Sequence, residues 1–266
     1  MYLQHFGLTH DPLGKNIRQT VDNEQYNILA NKLNWLLETK GIGLVTGDSG
    51  IGKTTALRKW TSGLNPMAYK IIYQSDNHFQ AFDIYSQLAD SLGLEKFYRY
   101  SKLWRVLKQE LITLHDDKQI TPIWILDEAH LLPNNFLSQL PAFLNFYFDT
   151  KDLLIIILIG LPQLSALLKR SLYSALKSRV LFDFQWLPLD TFDAFKKFLI
   201  SAFQLAGKHE LIISDSGLKI IHLATKGRLR DTHKIITHAL QLATDANINH
   251  LPDEIIESAI DNLKLP

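Results

Sequence analysis

Cysteine is absent from all 266 residues, which removes disulfides, thiolate nucleophiles and Cys-ligated zinc and favours a cytoplasmic address. The opening Met1-Tyr2-Leu3-Gln4-His5 lacks the basic-then-apolar order of a signal sequence. Long hydrophobic runs are also missing: the longest, Leu153 to Leu161, is about half of what a bilayer requires. It reads as a buried strand, and no membrane segment is expected. No internal repeat or low-complexity tract is visible. The 10 histidines are scattered without an HExxH-type pair, so His78 and His130 are expected to make polar contacts rather than ligate metal. Net charge is only +1, but it is uneven: Ala166 to Leu240 holds 12 Lys+Arg against 6 Asp+Glu, and the remainder 16 against 21. The C-terminal half is the part expected to face an anionic partner, with a solvated helical face as the alternative.

What the chain does have is Gly47-Asp48-Ser49-Gly50-Ile51-Gly52-Lys53-Thr54, followed by Thr55. This is GxxxxGK[ST], set between an apolar stretch (Ile42 to Val45) and a helix-competent one (Thr55 to Trp60), as a phosphate-cradling loop requires. Glycines let backbone N–H groups and a helix N-terminus face a polyphosphate. Lys53 would reach the β- and γ-phosphates of ATP, and the Thr54 hydroxyl would ligate Mg²⁺.

Strands and helices alternate, which argues for a parallel sheet covered on both faces. Candidate buried strands are Gly43–Thr46, Lys70–Gln74, Ile123–Asp127, Leu153–Ile159 and Val180–Phe184. Amphipathic helices are expected over Thr54–Ser62, Ala81–Leu92, Lys102–His115, Asn135–Tyr147 and Leu164–Leu168. After Leu187-Pro188-Leu189-Asp190 only helical periodicity remains, over Thr191–Leu205, Ser214–Thr225, Leu229–Thr244 and Asp253–Lys264. Asp190 and Ser214 are candidate N-caps, and Asp253 follows the start signal Pro252. The expected fold class is α/β: a P-loop domain over residues 1–187 with a five-stranded parallel sheet flanked by helices, then a small all-helical lid over 188–266.

Ile123-Trp124-Ile125-Leu126 ends in Asp127-Glu128, an apolar strand closed by two carboxylates. Strand ends beside a phosphate loop are where parallel sheets bind ligands. Asp127 would support Mg²⁺, and Glu128, pointing the other way if strand alternation persists, would orient the attacking water. Asp127-Glu128-Ala129-His130 also spells the DEAH box of helicases, but two motor domains and a helical lid do not fit in 266 residues. Phosphoryl transfer needs added positive charge. Arg179, just before the last strand, could reach a neighbour's nucleotide, with Arg170 as second choice. Arg230, in Gly227-Arg228-Leu229-Arg230-Asp231, could touch the γ-phosphate from within the chain. A surface salt bridge is the alternative for each.

This order of parts resembles the AAA+ ATPases, and within them the ExeA-like group, relatives of the transposition regulators TnsC, TniB and MuB. The likeness is carried by Met1-Tyr2 through Phe6-Gly7-Leu8 with Asp11-Pro12-Leu13, and by Asp127-Glu128-Ala129-His130-Leu131-Leu132. Leu144-Asn145-Phe146 through Ile159-Gly160-Leu161-Pro162-Gln163-Leu164, and Lys177-Ser178-Arg179-Val180 followed by Leu187-Pro188-Leu189, complete it. It extends to about residue 245. Two departures stand out. Leu161 occupies the place of a polar sensor, which implies slow or differently triggered hydrolysis. The chain also stops at Pro266 without the membrane segment and peptidoglycan-binding domain of secretion-type members, which points to the transposon-associated ones.

The resemblance implies a homo-oligomer, ring or filament, with nucleotide at subunit interfaces. It further implies ATP-dependent assembly on double-stranded DNA and recruitment of a transposase, with a target-selection protein as a further partner. It assigns catalytic roles to Lys53, Glu128, Arg179 from the next subunit and Arg230 from the same lid. It also points to Lys96 through Arg105 as a DNA-tracking surface, with Arg99, Lys102 and Arg105 on phosphates. In the alternative, Phe97, Tyr100 and Trp104 are core and the charges are solvated. A secretion-associated ATPase, a helicase loader and a non-hydrolysing adaptor are the other functional readings.

Overall fold

The computed structural model describes residues 2–14, 23–75 and 80–264. The chain divides into two compact units, one of residues 28–48 and 60–186, the other of 1–27, 49–59 and 187–266.

The first unit is built on five parallel strands: β1 (Gly41–Thr46), β2 (Tyr69–Gln74), β3 (Thr121–Leu126), β4 (Ile155–Gly160) and β5 (Val180–Gln185), in the order β2-β3-β4-β1-β5. The three inner strands are rich in β-branched and leucine residues, and β1 and β4 are buried along their whole length, as a sheet covered on both faces demands. Pairing of Thr46 with Gly160 and of Leu126 with Leu158 brings the C-terminal ends of β1, β4 and β3 to one edge.

Helices α4 (Ala81–Leu92) and α5 (Tyr100–Asp116) cover one part of the sheet. Leu103, Leu107, Leu111 and Leu114 make the buried stripe of α5. Between them Tyr85 packs edge-on or tilted against Tyr100, Trp104, Trp124, Phe136 and Phe143. These offset ring pairs are the favourable arrangement of aromatic quadrupoles.

Two expectations for this unit need correction. A helix over Glu24–Thr39 precedes β1; none was expected there, although its buried Leu29, Leu33 and Leu36 have helical spacing. The helix expected over Asn135–Tyr147 ends at Phe143. Beyond it Phe146 turns inward in an extended conformation, bridging antiparallel to Lys151, and Tyr147, Phe148 and Asp149 are left-handed. Lys108 donates to the carbonyls of Ala142 and Asn145 and so satisfies the helix end. Apolar residues continued at helical spacing past the point where the backbone had turned.

The second unit holds Tyr2–Phe6 and the helices α9 (Phe192–Leu205), α10 (Asp215–Thr225), α11 (Leu229–Asp245) and α12 (Asp253–Leu263). Ser214 caps α10 by accepting the Gly217 N–H and donates to Asp253 at the start of α12. Asp190 is not the cap of α9: Thr191 takes that position, and no side chain there bonds the helix. The N-terminal segment is pinned to α11 through Asp11, whose Oδ2 is 2.7 Å from His233 Nε2 and accepts from the Tyr2 hydroxyl. Among the described residues no helix is long and apolar enough to cross a membrane.

Burial raises the Asp11 carboxyl, but hydrogen bonds from His233, the Leu13 amide and Tyr2 outweigh it, and its pKa falls below the usual 3.8. A lowered carboxylate pKa stabilises the fold above the unfolded value and loses that effect as pH falls through the folded one. Asp11→Asn should therefore lower Tm at pH 6, with the gap to the parent closing as pH is taken below about 3.8. A gap independent of pH would contradict this.

The Tyr85 hydroxyl is buried, without a hydrogen-bond partner, and burial pushes its pKa well up. Since an unsatisfied buried polar group costs about 1–3 kcal/mol, Tyr85→Phe should leave stability unchanged or raise it by ~1 kcal/mol in denaturant unfolding. A loss of that size would reveal a partner for the hydroxyl.

Candidate functional site

The chain leaves β1 at Thr46 into the glycine loop, where the Gly47 N–H donates to the Gly160 carbonyl at 3.1 Å. Within the same unit β3 ends at Leu126, so Asp127 lies one residue past the strand at the edge shared with Thr46. Asp127 is buried, and both its oxygens are engaged: Oδ1 accepts the Glu128 N–H at 2.8 Å and Oδ2 accepts the Tyr73 hydroxyl at 2.8 Å. Tyr73 lies on β2 and was not expected at the site. Its signal was hidden because nothing local in the sequence says that β2 is the neighbour of β3.

Glu128 does not continue the strand's alternation. Its backbone is left-handed, φ 51° and ψ 37°, a conformation rarely held by a residue with a Cβ. The Asp127 carboxylate holds that turn, so the orientation of Glu128 is set by it and not by a pleat. The side chain is 53% exposed, and its Oε2 lies 3.5 Å from Nδ1 of His130. Leu161, directly after β4, is half-buried.

In the other unit, Ser49 to Thr55 carry the rest of the loop and the first turn of α3 (Lys53–Ser62). The Arg230 amide donates to the Gly50 carbonyl at 2.9 Å and its guanidinium to Ser49 Oγ at 2.8 Å. Gly50 has φ +77°, and a Cβ there would meet Arg230 Cβ at 2.6 Å. Arg230 thus lies against the phosphate loop. Neighbouring Arg228 pairs with Asp231 at 3.0 Å.

Arg179 is elsewhere. It directly precedes β5, at the N-terminal edge of the sheet, opposite to the edge with Asp127. Its guanidinium bonds Asp149 and lies 3.7 Å from Asp152. Arg170 is exposed on the turn before Ser171–Tyr173. Arg99, Lys102 and Arg105 are exposed around the first turns of α5, whereas Phe97, Tyr100 and Trp104 pack against the core and Lys102 sits 5.8 Å over the Phe97 ring. The aromatic half of that segment is therefore structural, with Tyr98, 92% exposed, as the exception. His78 and Met1 lie outside the described residues.

The donor set fits Mg²⁺ better than a softer ion. By residue type, the Asp127 carboxylate in one unit and the Thr54 hydroxyl in the other are hard oxygen donors, and among the described residues no three or more His, Asp or Glu cluster into a metal cage. Such a set suits an ion that takes its other ligands from substrate phosphates and water.

Residues 36–168, half of the chain and including both the glycine loop and Asp127-Glu128, match the AAA domain family. The chain belongs to the AAA domain family. It is 30% identical over 249 residues to general secretion pathway protein A of Aeromonas hydrophila, a match that covers 90% of this chain and 44% of that protein. The chain thus spans less than half the length of this curated relative. The fold is similar to the ORC2 protein of Aeropyrum pernix (TM-score 0.74, 17% identity, 96% of this chain and 72% of that one). It is also similar to the ORC1 protein of Aeropyrum pernix, solved in complex with DNA (TM-score 0.70, 17% identity, 95% and 68%). The five-stranded parallel sheet flanked by helices is the AAA+ P-loop fold of these proteins.

Gly50→Ala should cost about 1–3 kcal/mol, because a left-handed residue would gain a Cβ against Arg230. Chemical denaturation measures this, and an unchanged midpoint would contradict the loop geometry.

Proposed function

We propose that this chain is an ATP-hydrolysing AAA+ switch, with a nucleotide-binding α/β domain over residues 1–187 and a helical lid over 188–266. The observation that carries the reading is the AAA domain match, whose span includes the phosphate loop and the acidic pair. Gly47, Asp48, Ser49, Gly50, Ile51, Gly52, Lys53, Thr54 and Thr55 form the nucleotide cradle. The Lys53 ammonium would neutralise the β- and γ-phosphates, and Thr54 and Asp127 would hold Mg²⁺. When bound, Mg²⁺ offsets the charge of the phosphate oxygens.

Hydrolysis then needs one water. Its oxygen forms a bond to the γ-phosphorus as the bond to the β-bridging oxygen breaks, and Glu128 accepts the proton. ADP leaves with the electron pair. Arg230 from the same chain and Arg179 from the next subunit stabilise the charge that develops. A role for Arg179 in a neighbour's site fits its position away from its own chain's Asp127, and implies a ring or filament with nucleotide between subunits. With Leu161 at the sensor position, turnover is slow and nucleotide acts chiefly as an assembly switch.

For the partner, our first reading is double-stranded DNA: a cytoplasmic regulator of transposition that assembles on the duplex and recruits a transposase, with a target-selection protein as a further partner. Exposed Arg99, Lys102 and Arg105 support it through sequence-independent phosphate contacts. A relative in fold, the ORC1 protein, is one solved with DNA. The second reading, a secretion-associated ATPase, is favoured by the likeness to general secretion pathway protein A over 90% of this chain.

One set of measurements separates these readings. The parent chain should turn over ATP, and Glu128→Gln should bind it but turn over about 10²–10⁴-fold slower. Sedimentation with linear duplex should show ATP-dependent retention that falls steeply between low and moderate salt. Turnover without retention at low salt would sink the DNA reading and leave the secretion one. Equal turnover by parent and Glu128→Gln would sink the assignment of the base.

A further inference from the structure

Leu161 leaves the end of β4 without a polar side chain of its own, and another residue brings one there. His130 lies in the single turn Ala129–Leu131 that follows the acidic pair. Its side chain is 10% exposed. A Cβ on Gly160, the last residue of β4, would stand 3.2 Å from the His130 backbone nitrogen and 3.5 Å from Nδ1. The tightest contacts of such a Cβ would be Leu164 Cδ2 at 3.0 Å and the His130 backbone nitrogen, so glycine at 160 lets the backbone of the His130 turn lie against the strand end, with the imidazole at ordinary contact distance.

The ring nitrogen that results is unusual. Nδ1 is buried and has no hydrogen-bond partner, yet it faces Glu128 Oε2 at 3.5 Å. Buried polar nitrogens in native proteins are nearly always bonded, and an exception calls for an explanation. Glu128 has the complementary problem: a half-exposed carboxylate on a left-handed backbone whose amide is held by its neighbour Asp127. A small rotation of the carboxylate closes the gap, and catalytic hydrogen bonds are often long before substrate arrives.

We propose that His130 is a positioning residue for Glu128. Its Nδ1–H donates to the carboxylate and holds it in the one orientation from which it accepts the proton of the attacking water, so His130 takes over the place of the polar side chain absent at Leu161. This inference rests on the reading of Glu128 as the base. Packing alone would also hold an imidazole against Gly160, so the two roles must be told apart by what replaces it.

His130→Asn keeps a donor near the position of Nδ1 but loses most of the ring. His130→Phe keeps the ring and loses the donor. Positioning predicts that His130→Phe lowers kcat about 10–100-fold with KM for ATP unchanged, the size expected for losing a hydrogen bond to a charged group. His130→Asn should recover most of that loss. A purely structural role predicts the reverse order, with Phe tolerated and Asn impaired, and that result would overturn the proposal.

Glu128→Gln is the control. If it is inactive while His130→Phe keeps parental kcat, the positioning role fails and the base assignment stands. If Glu128→Gln turns over like the parent, the base assignment fails and this inference with it. A readout independent of turnover is the ¹⁵N shift of the His130 ring in the full chain: Glu128→Gln should move the Nδ1 signal, and an unmoved signal would show that the two side chains do not touch.

Discussion

Strand β4 pairs with β1 on one side and with β3 on the other, both in parallel, and the chemistry of the chain depends on that pairing. Parallel register brings three C-terminal strand ends to one edge, so the glycine loop leaves β1 at the same edge where β3 ends at Leu126 and runs into Asp127-Glu128. The same constraint explains the run Ile155-Ile156-Ile157-Leu158-Ile159, buried along its whole length and stiff enough to hold a register. It also explains Gly160. The strand's last residue accepts the Gly47 amide through its carbonyl, and a side chain there would crowd Leu164 and the His130 backbone nitrogen. Packing, loop path and acid placement are thus consequences of one set of backbone hydrogen bonds.

Much of this was legible residue by residue. The phosphate loop could be read because its chemistry needs a fixed spacing, and the five strands because their apolar runs are short and bounded. Ser214 was readable as a cap because its hydroxyl acts on the helix it begins. What escaped was whatever depends on neighbours. The Tyr73–Asp127 hydrogen bond requires knowing that β2 lies beside β3. The left-handed turn at Glu128 requires knowing that the strand stops at Leu126. The tongue after Phe143 kept helical spacing in its apolar residues while Lys108, from another helix, satisfied the end of the true helix. The segment from Lys96 to Arg105 reads in sequence as a DNA-tracking surface or as solvated charges over core aromatics, and exposure of Arg99, Lys102 and Arg105 is common to both. Of the aromatics in that segment, Tyr100 and Trp104 pack on Tyr85 and Phe97 lies against the same core, whereas Tyr98 is exposed.

Family membership and function stand at different depths. The AAA domain match establishes what kind of fold and loop this is, and the solved relatives in fold, at 17% identity, speak to architecture alone. The partner is a matter of surface chemistry. In the proposed DNA reading, the basic end of α5 is where the duplex is recognised, and the phosphate loop makes that recognition depend on nucleotide.

In the proposed function this loop grips a triphosphate through Lys53. Equilibrium titration of ATP with Mg²⁺ into the parent chain and into Lys53→Ala tests it most directly. Saturable binding by the parent is expected, with a loss of at least about tenfold in affinity for Lys53→Ala, since a charge-assisted contact to phosphate is removed. Equal affinity in the two proteins would contradict it.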